Sequence, residues 1–267
     1  SESDQESVEA MKLWLLKNKQ TSDWETRRAT IAAWNALVLP GSNWLENNEE
    51  PTFAMGNASE TQALQTKISQ ADKESGSGYF RVNWSGTEVS PSMGKVSVTR
   101  NESSGAAWGA MYWQYFEDLD KITSFEDTPL KLNKKLFKKI NTDSGKELKE
   151  INNKTQLKVG DLITVRIELR SDRDMEFIHM KDMRASGLEP ISVLSKYKWQ
   201  DGLGYYQSTK DASTNFFFDN IPKGVYVFEY DLRVNNAGNF SNGITTIQSM
   251  YAPEFSSHSK GIRINIK

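Results

Sequence analysis

The feature that most constrains the fold is a strict two-residue alternation that recurs in three separate stretches. Within residues 162–170, Ile163, Val165, Ile167 and Leu169 fall on one side, while Thr164, Arg166, Glu168 and Arg170 fall on the other. Tyr226, Phe228, Tyr230, Leu232 and Val234 repeat the pattern, and Ile262, Ile264 and Ile266 show it again. Successive side chains of a strand point to opposite faces, so each stretch reads as a strand with one apolar face. Asp201-Gly202, Pro222-Lys223-Gly224 and Ala237-Gly238 supply turn signals between such runs. A one-sided strand must bury its apolar face against a second layer. Residues 129–267 are therefore predicted to form an antiparallel β-sandwich of roughly seven strands.

The start of the chain has a different period. Val8, Met11, Trp14 and Leu15 recur at helical spacing, and Ser3 with Glu6 has the capping-box pattern, so residues 3–19 are predicted to be helical. A second pair, Ser22 and Glu25, opens a run carrying Trp24, Ala32, Trp34, Leu37 and Val38 that Pro40-Gly41 stops. The short link at residues 18–21 makes residues 1–41 an antiparallel helical pair. Two helices cannot bury this many tryptophans between themselves, so their apolar faces are expected to meet either the rest of this chain or, as the favoured reading, further helices outside it. Residues 42–128 read as a smaller β-region, with strands at 78–84 and 94–100. At 105–117, Trp108, Met111, Tyr112, Trp113, Tyr115 and Phe116 cover both sides of any strand, which predicts burial on two faces. The lysines of LKLNKKLFKKI, residues 130–140, read as a solvated strand edge that Lys protects from further pairing. The predicted fold class is mainly β, with a helical pair at the N-terminus.

The residue types exclude several kinds of chemistry. The 33 basic and 35 acidic residues leave a net charge of −2, too little to attract nucleic acid or an anionic membrane. A mean hydropathy of −0.63, with no apolar run near the roughly 18 residues a bilayer requires, argues against a transmembrane helix. SESDQESVEA is polar and acidic where a signal peptide would be basic and then apolar. There is no cysteine, hence no disulfide, thiolate metal site, cysteine nucleophile or Cys-derived thioester within these residues. His179 and His258 are the only histidines and lie at no metal-ligand spacing. Residues 171–174, SDRD, read as a charged turn and not as a pair of catalytic acids. GxSxG, P-loop, GxGxxG and EF-hand patterns are absent, so no enzyme, cofactor or metal is predicted. One binding alternative stays open: Trp199, Tyr205 and Tyr206 could stack a sugar on a β-sandwich adhesin or carbohydrate-binding module, against the competing reading of core packing.

Two long stretches carry a resemblance. GDLITVRIELRSDRDMEFIHMKDMRASGLEPI and YYQSTKDASTNFFFDNIPKGVYVFEYDLRVNNAGNFSNGITTIQSMYAPEF resemble the C-terminal macroglobulin-like domain of bacterial alpha-2-macroglobulins. WGAMYWQYFEDLDKI is similar to the β-rich segment before that domain, and MKLWLLKNKQTSDWETRRATIAAWNAL looks like the last helices of the family's α/α-toroid. The resemblance implies a fragment of a protease-trapping inhibitor whose partners are the upstream domains of the same parent chain and, through the intact parent, target proteases. It further implies a periplasmic or envelope-associated location, with a lipoprotein parent as one option. In thioester-bearing relatives a tyrosine of this sandwich packs over the thioester and keeps water out. MYAPEF is similar to the stretch that carries it, which makes Tyr251, with Met250 and Phe255 beside it, the candidate for thioester shielding or for simple packing between domains.

Overall fold

All three alternating stretches form strands, and their apolar faces line one core. In the computed structural model, which describes residues 2–21, 24, 26–38, 51–75, 78–100, 109–143, 145–152 and 154–267, Ile163, Val165, Ile167 and Leu169 are buried, as are Phe228, Leu232, Val234, Ile264 and Ile266. The chain divides into two units, Ser1–Trp14 with Arg28–Gln114 and Leu15–Arg27 with Tyr115–Lys267.

Helices α1 (Glu2–Thr21) and α2 (Arg27–Val38) open the chain. Residues 18–21, expected to be a link, are instead the last turn of α1. The predicted cap at Ser22 and Glu25 and the stop at Pro40-Gly41 lie outside the described residues. Met11, Trp14, Ile31, Trp34 and Val38 are exposed on these helices.

Beyond α2, strand β1 (Thr52–Met55) is followed by helix α3 (Ala58–Gln70) and strand β2 (Val96–Thr99). β1 and β2 pair antiparallel, Thr52 opposite Thr99. The helix corrects the expectation of a purely β region. It begins at a capping box in which the Asn57 side chain accepts from the Glu60 N–H at 3.0 Å and the Glu60 carboxylate accepts from the Asn57 N–H at 2.8 Å. Leu64 of α3 packs with Met55 and Met93 in a small core that Phe53, Ile68, Val82 and Trp84 border. Residues 78–84 are irregular and not a strand, because β1 takes β2 as its partner. Residues 105–108 lie outside the described residues. Residues 109–117 are irregular, with Met111, Tyr112, Trp113, Tyr115 and Phe116 exposed, so the expected doubly buried strand does not form there.

In the larger unit the chain continues through β3 (Leu130–Thr142), β4 (Gly145–Glu150), β5 (Gln156–Leu157), β6 (Leu162–Ser171), β7 (Met175–Met183) and β8 (Leu188–Pro190). It then forms β9 (Lys196–Gln200), β10 (Leu203–Thr209), β11 (Ser213–Ile221) and β12 (Gly224–Val234). The last four are β13 (Gly238–Ser241), β14 (Thr245–Ser249), β15 (Ser256–His258) and β16 (Arg263–Ile266). One sheet has the order β15-β14-β7-β11-β10-β9, a second β4-β3-β6-β12-β8, and a small third β13-β16-β5. The first two sheets outnumber the seven strands expected, because short segments such as β8 and β15 add to their edges. Asp201 and Gly202 both adopt positive φ, +52° and +78°, which is the backbone a two-residue turn between β9 and β10 demands. The turn before Gly224 instead carries the chain from β11 in one sheet to β12 in the other.

β3 overturns the reading of a lysine-protected edge. β6 pairs with it from Leu130 to Lys139 and β4 from Phe137 to Thr142, and Leu130, Leu132, Lys134 and Leu136 all face inward, so Lys134 is in the core and not solvated. Alternation along the strand sends Lys134 into the core and Lys135 out to Glu150 at 3.2 Å.

Candidate functional site

β14 delivers the chain to a turn at residues 250–255, and β15 takes it back with Gln248 opposite Ser256. Inside the turn the backbone is closed by hydrogen bonds. The Ser249 N–H donates to the Phe255 carbonyl at 3.1 Å and the Phe255 N–H to the Ala252 carbonyl at 2.9 Å. Ala252 is buried and Phe255 packs against the main core. With these two residues turned inward, the other two point out: Met250 is 56% exposed and Tyr251 78%. The three candidates therefore divide, with Phe255 as a foundation and Met250 and Tyr251 as the presented surface.

A fourth residue, absent from the sequence reading, supports them. Phe177 of β7 has a φ of +54°, a conformation that costs an L-residue about 1–2 kcal/mol. Its role in the strand is visible in the burial pattern. Met175 and Ile178 both point into the core with two residues between them, and across the pair Phe218 and Ile221 do the same. Both strands thus change phase together while Ile178 stays opposite Phe218 and Glu176 opposite Asn220. The reversal leaves the Phe177 ring exposed, in edge-to-face contact with Tyr251 at 5.2 Å between centroids, and the Phe177 carbonyl accepts from the Met250 N–H at 2.9 Å. The only sequence signal was Met175, an apolar residue out of phase with Ile178 and Met180. Backbone strain beside an exposed aromatic pair is a pattern associated with contact surfaces.

The sugar-platform residues do not come together. Tyr205 is 4% exposed and sits in the core against Phe216, Phe218 and Phe228. Trp199, 81% exposed, stands opposite Gly204. Tyr206 belongs to a different set, a row that crosses the outer face of the six-stranded sheet. Tyr197 and Tyr206 are 5.0 Å apart, Tyr206 and Phe217 6.5 Å, and Phe217 and His179 are stacked at 4.7 Å. His179 also shares a hydrogen bond of 3.0 Å with Asn215.

A recess of about 160 Å³ is lined by Pro190, Lys198, Gln207, Glu229, Tyr230 and Asp231, among others. Its carboxylates are already engaged. Glu229 pairs with Arg166 at 2.5 Å, and Asp231 accepts from Lys139 at 2.6 Å and from Thr164 at 2.9 Å. The SDRD segment is a charged turn, as expected, in which Arg173 meets Asp172 at 2.9 Å. Among the described residues no cluster of three or more His, Asp or Glu could hold a metal, and no helix is long and apolar enough to cross a membrane.

Residues 130–254 match the family model of the bacterial alpha-2-macroglobulin MG10 domain. Among solved structures, Escherichia coli alpha-2-macroglobulin activated by porcine elastase is similar at 15% identity and a TM-score of 0.45, over 55% of this chain and 14% of that one. Salmonella alpha-2-macroglobulin reacted with methylamine gives 15% and 0.42, over 55% and 10%. A native E. coli fragment spanning MG7 to the C-terminus gives 13% and 0.41, over 53% and 24%. This chain thus spans at most about a quarter of the length of these proteins. No curated protein matches it. The strand core that presents Tyr251, residues 130–254, is thus similar to the bacterial alpha-2-macroglobulin MG10 domain.

Proposed function

We propose that this chain is a non-catalytic part of a bacterial alpha-2-macroglobulin-type protease trap, and that its sandwich holds a neighbouring domain of the same parent in the inactive placement through the Tyr251 loop. Members of the family are protease inhibitors and not enzymes, and the E. coli and Salmonella relatives are described as activated by proteases or reacted with methylamine. The observation that carries the reading is the exposed Met250–Tyr251 pair, backed by a strained Phe177, at the end of the MG10 match. Covering a large apolar side chain stabilises a contact by about 1.5–3 kcal/mol, so a neighbour seated there is held until a rearrangement elsewhere releases it. Where that neighbour carries an activated acyl group, the ring also excludes water from it. The apolar residues exposed on α1 and α2 support the same picture of a chain that packs against further domains. This reading implies a parent in the periplasm or at the cell envelope.

The test is Tyr251→Ala in the full-length protein that contains this chain. Faster methylamine incorporation without added protease, or impaired protease trapping, is expected. Wild-type behaviour in both assays would sink the proposal.

The row Tyr197–Tyr206–Phe217, exposed at Tyr197 and Phe217 and half-buried at Tyr206, with exposed Trp199 on the same strand as Tyr197, favours a second reading, a sugar-stacking surface. Glycan-array binding that Tyr197→Ala abolishes would support it, and an array without hits would remove it.

A further inference from the structure

Three core strands each set one polar side chain in a line of apolar ones. Lys134 follows Leu130 and Leu132 on β3, Asp182 follows Ile178 and Met180 on β7, and Tyr230 lies between Phe228 and Leu232 on β12. The side chains of Lys134 and Asp182 are 0% and 1% exposed, with Nζ 2.6 Å from Oδ1. A second Nζ hydrogen points at the Met183 carbonyl, 2.8 Å away. The Thr245 hydroxyl donates to Asp182 Oδ1 at 2.6 Å, and the Tyr230 phenol donates to Oδ2. Arg184, also buried, donates to the Asp211 and Ser213 carbonyls and to Thr214.

As an ion pair this arrangement is expensive. Two charges have left water, and a second buried cation lies close enough to disfavour the first. An amine and a carboxyl held in contact in a dry core can reach the same contact without charge by joining covalently. We propose that Lys134 and Asp182 condense into an intramolecular isopeptide bond that ties β3 of one sheet to β7 of the other.

The chemistry balances with the groups present. A proton passes from Nζ to Oδ1 along the 2.6 Å hydrogen bond, leaving an amine and a carboxylic acid. Nζ then attacks Cγ, and the negative charge that develops on Oδ2 is met by the Tyr230 O–H, a donor already aimed at it. The Cγ–Oδ1 bond breaks, a second Nζ proton leaves with Oδ1 while Thr245 donates to that oxygen, and one water departs. No oxidant, metal or nucleotide takes part. Burial holds the Lys134 ammonium below its ordinary value of 10.5, with a smaller push from Arg184 against the opposing pull of Asp182, which favours the nucleophilic amine. Fixed proximity replaces an external catalyst. The closed core then keeps out the water that would hydrolyse the amide.

The test is intact-mass spectrometry of the purified 267-residue chain, followed by tryptic mapping. The expected mass lies below the sequence value by one water, with trypsin no longer cutting after Lys134 and a branched peptide joining Lys134 to Asp182. Lys134→Met should restore the full sequence mass. Asp182→Asn should lose one ammonia instead, because the leaving group changes. A wild-type chain at its full sequence mass would overturn the proposal. So would a water loss that maps elsewhere, for example to a succinimide at Asp201-Gly202. The outcome does not depend on the proposed role of Tyr251.

Discussion

Tyr230 shows how a single side chain on an apolar face sets a pH response. It lines the recess, and its hydroxyl donates to Asp182. Burial, and then the Asp182 charge, push the phenol well above its ordinary value of 10.0. Above pH 10.0 the unfolded chain releases this proton while the folded chain keeps it. Stability therefore falls as pH rises there, by at most about 1.4 kcal/mol per pH unit. An isopeptide bond would remove the charge and leave the burial, so the sign is the same in either form. Tyr230→Phe is expected to flatten this alkaline fall, with Tyr205 and Tyr226 contributing what remains, since burial raises both. At neutral pH the same variant should lose about 1–3 kcal/mol, because a buried acceptor is left without its donor. Urea unfolding at neutral pH and above pH 10.0 measures both effects, and an undiminished alkaline fall would refute the assignment. The sequence held part of this account. Alternation alone puts Tyr230 on a core face, whereas the lysines of 130–140 read as a solvated edge, and that Asp182 meets both Tyr230 and Lys134 depends on how two sheets are laid together, which no local pattern encodes. Tyr251 is legible as an apolar turn residue, whereas the φ reversal at Phe177 leaves no trace but the out-of-phase Met175.

The elements that were misread share one physical cause, dependence on a partner distant in sequence. LKLNKKLFKKI has the composition of an edge, yet whether a strand is an edge is decided by what pairs with it, and from Phe137 onward β3 has β4 on one side and β6 on the other. Residues 109–117 have the apolar density of a buried strand, but density without a partner strand produces an exposed irregular segment. Helix α3 does carry a local signal. Asn57 and Glu60 have the same three-residue spacing that identified α1, although only Leu64 and Ile68 mark the apolar stripe behind them. Glu60 also accepts from Ser90 and Ser92, at 2.5 and 2.7 Å, so this one side chain ties the start of α3 to the turn before β2. Removing the cap should therefore loosen the helix without touching the sandwich. Asn57→Ala is expected to cost about 1 kcal/mol, which lowers hydrogen-exchange protection of the α3 amides about five-fold. Amides of β6 and β12 should be unchanged, and an equal loss in both places would show that the two regions unfold as one.

At the scale of the molecule, the two units differ in how much apolar surface holds each together. One has a core of three buried side chains, Met55, Leu64 and Met93, while the other buries aliphatic and aromatic residues from most strands of two sheets. Between the two cores the chain passes through residues 109–117, irregular and with Tyr112, Tyr115 and Phe116 exposed. From Leu119 onward it is fastened to the C-terminal strands. The Phe125 N–H and the His258 N–H each donate to the other's carbonyl, Asp120 pairs with Arg263 at 2.9 Å, and a Cβ on Gly261 would lie 1.9 Å from the Leu119 carbonyl oxygen. Proteolysis requires an accessible segment that can leave its neighbours, and exposed irregular chain meets that condition where paired strands do not. Limited chymotrypsin digestion is therefore expected to cut among Tyr112, Trp113, Tyr115 and Phe116 early. The fragment that survives should begin shortly after them, retain the β-sheet circular dichroism of the sandwich and, if Lys134 and Asp182 are joined, carry the one-water mass deficit with it. First cuts inside residues 130–254, before any at 112–116, would show that the sandwich is not the independent core that its burial indicates.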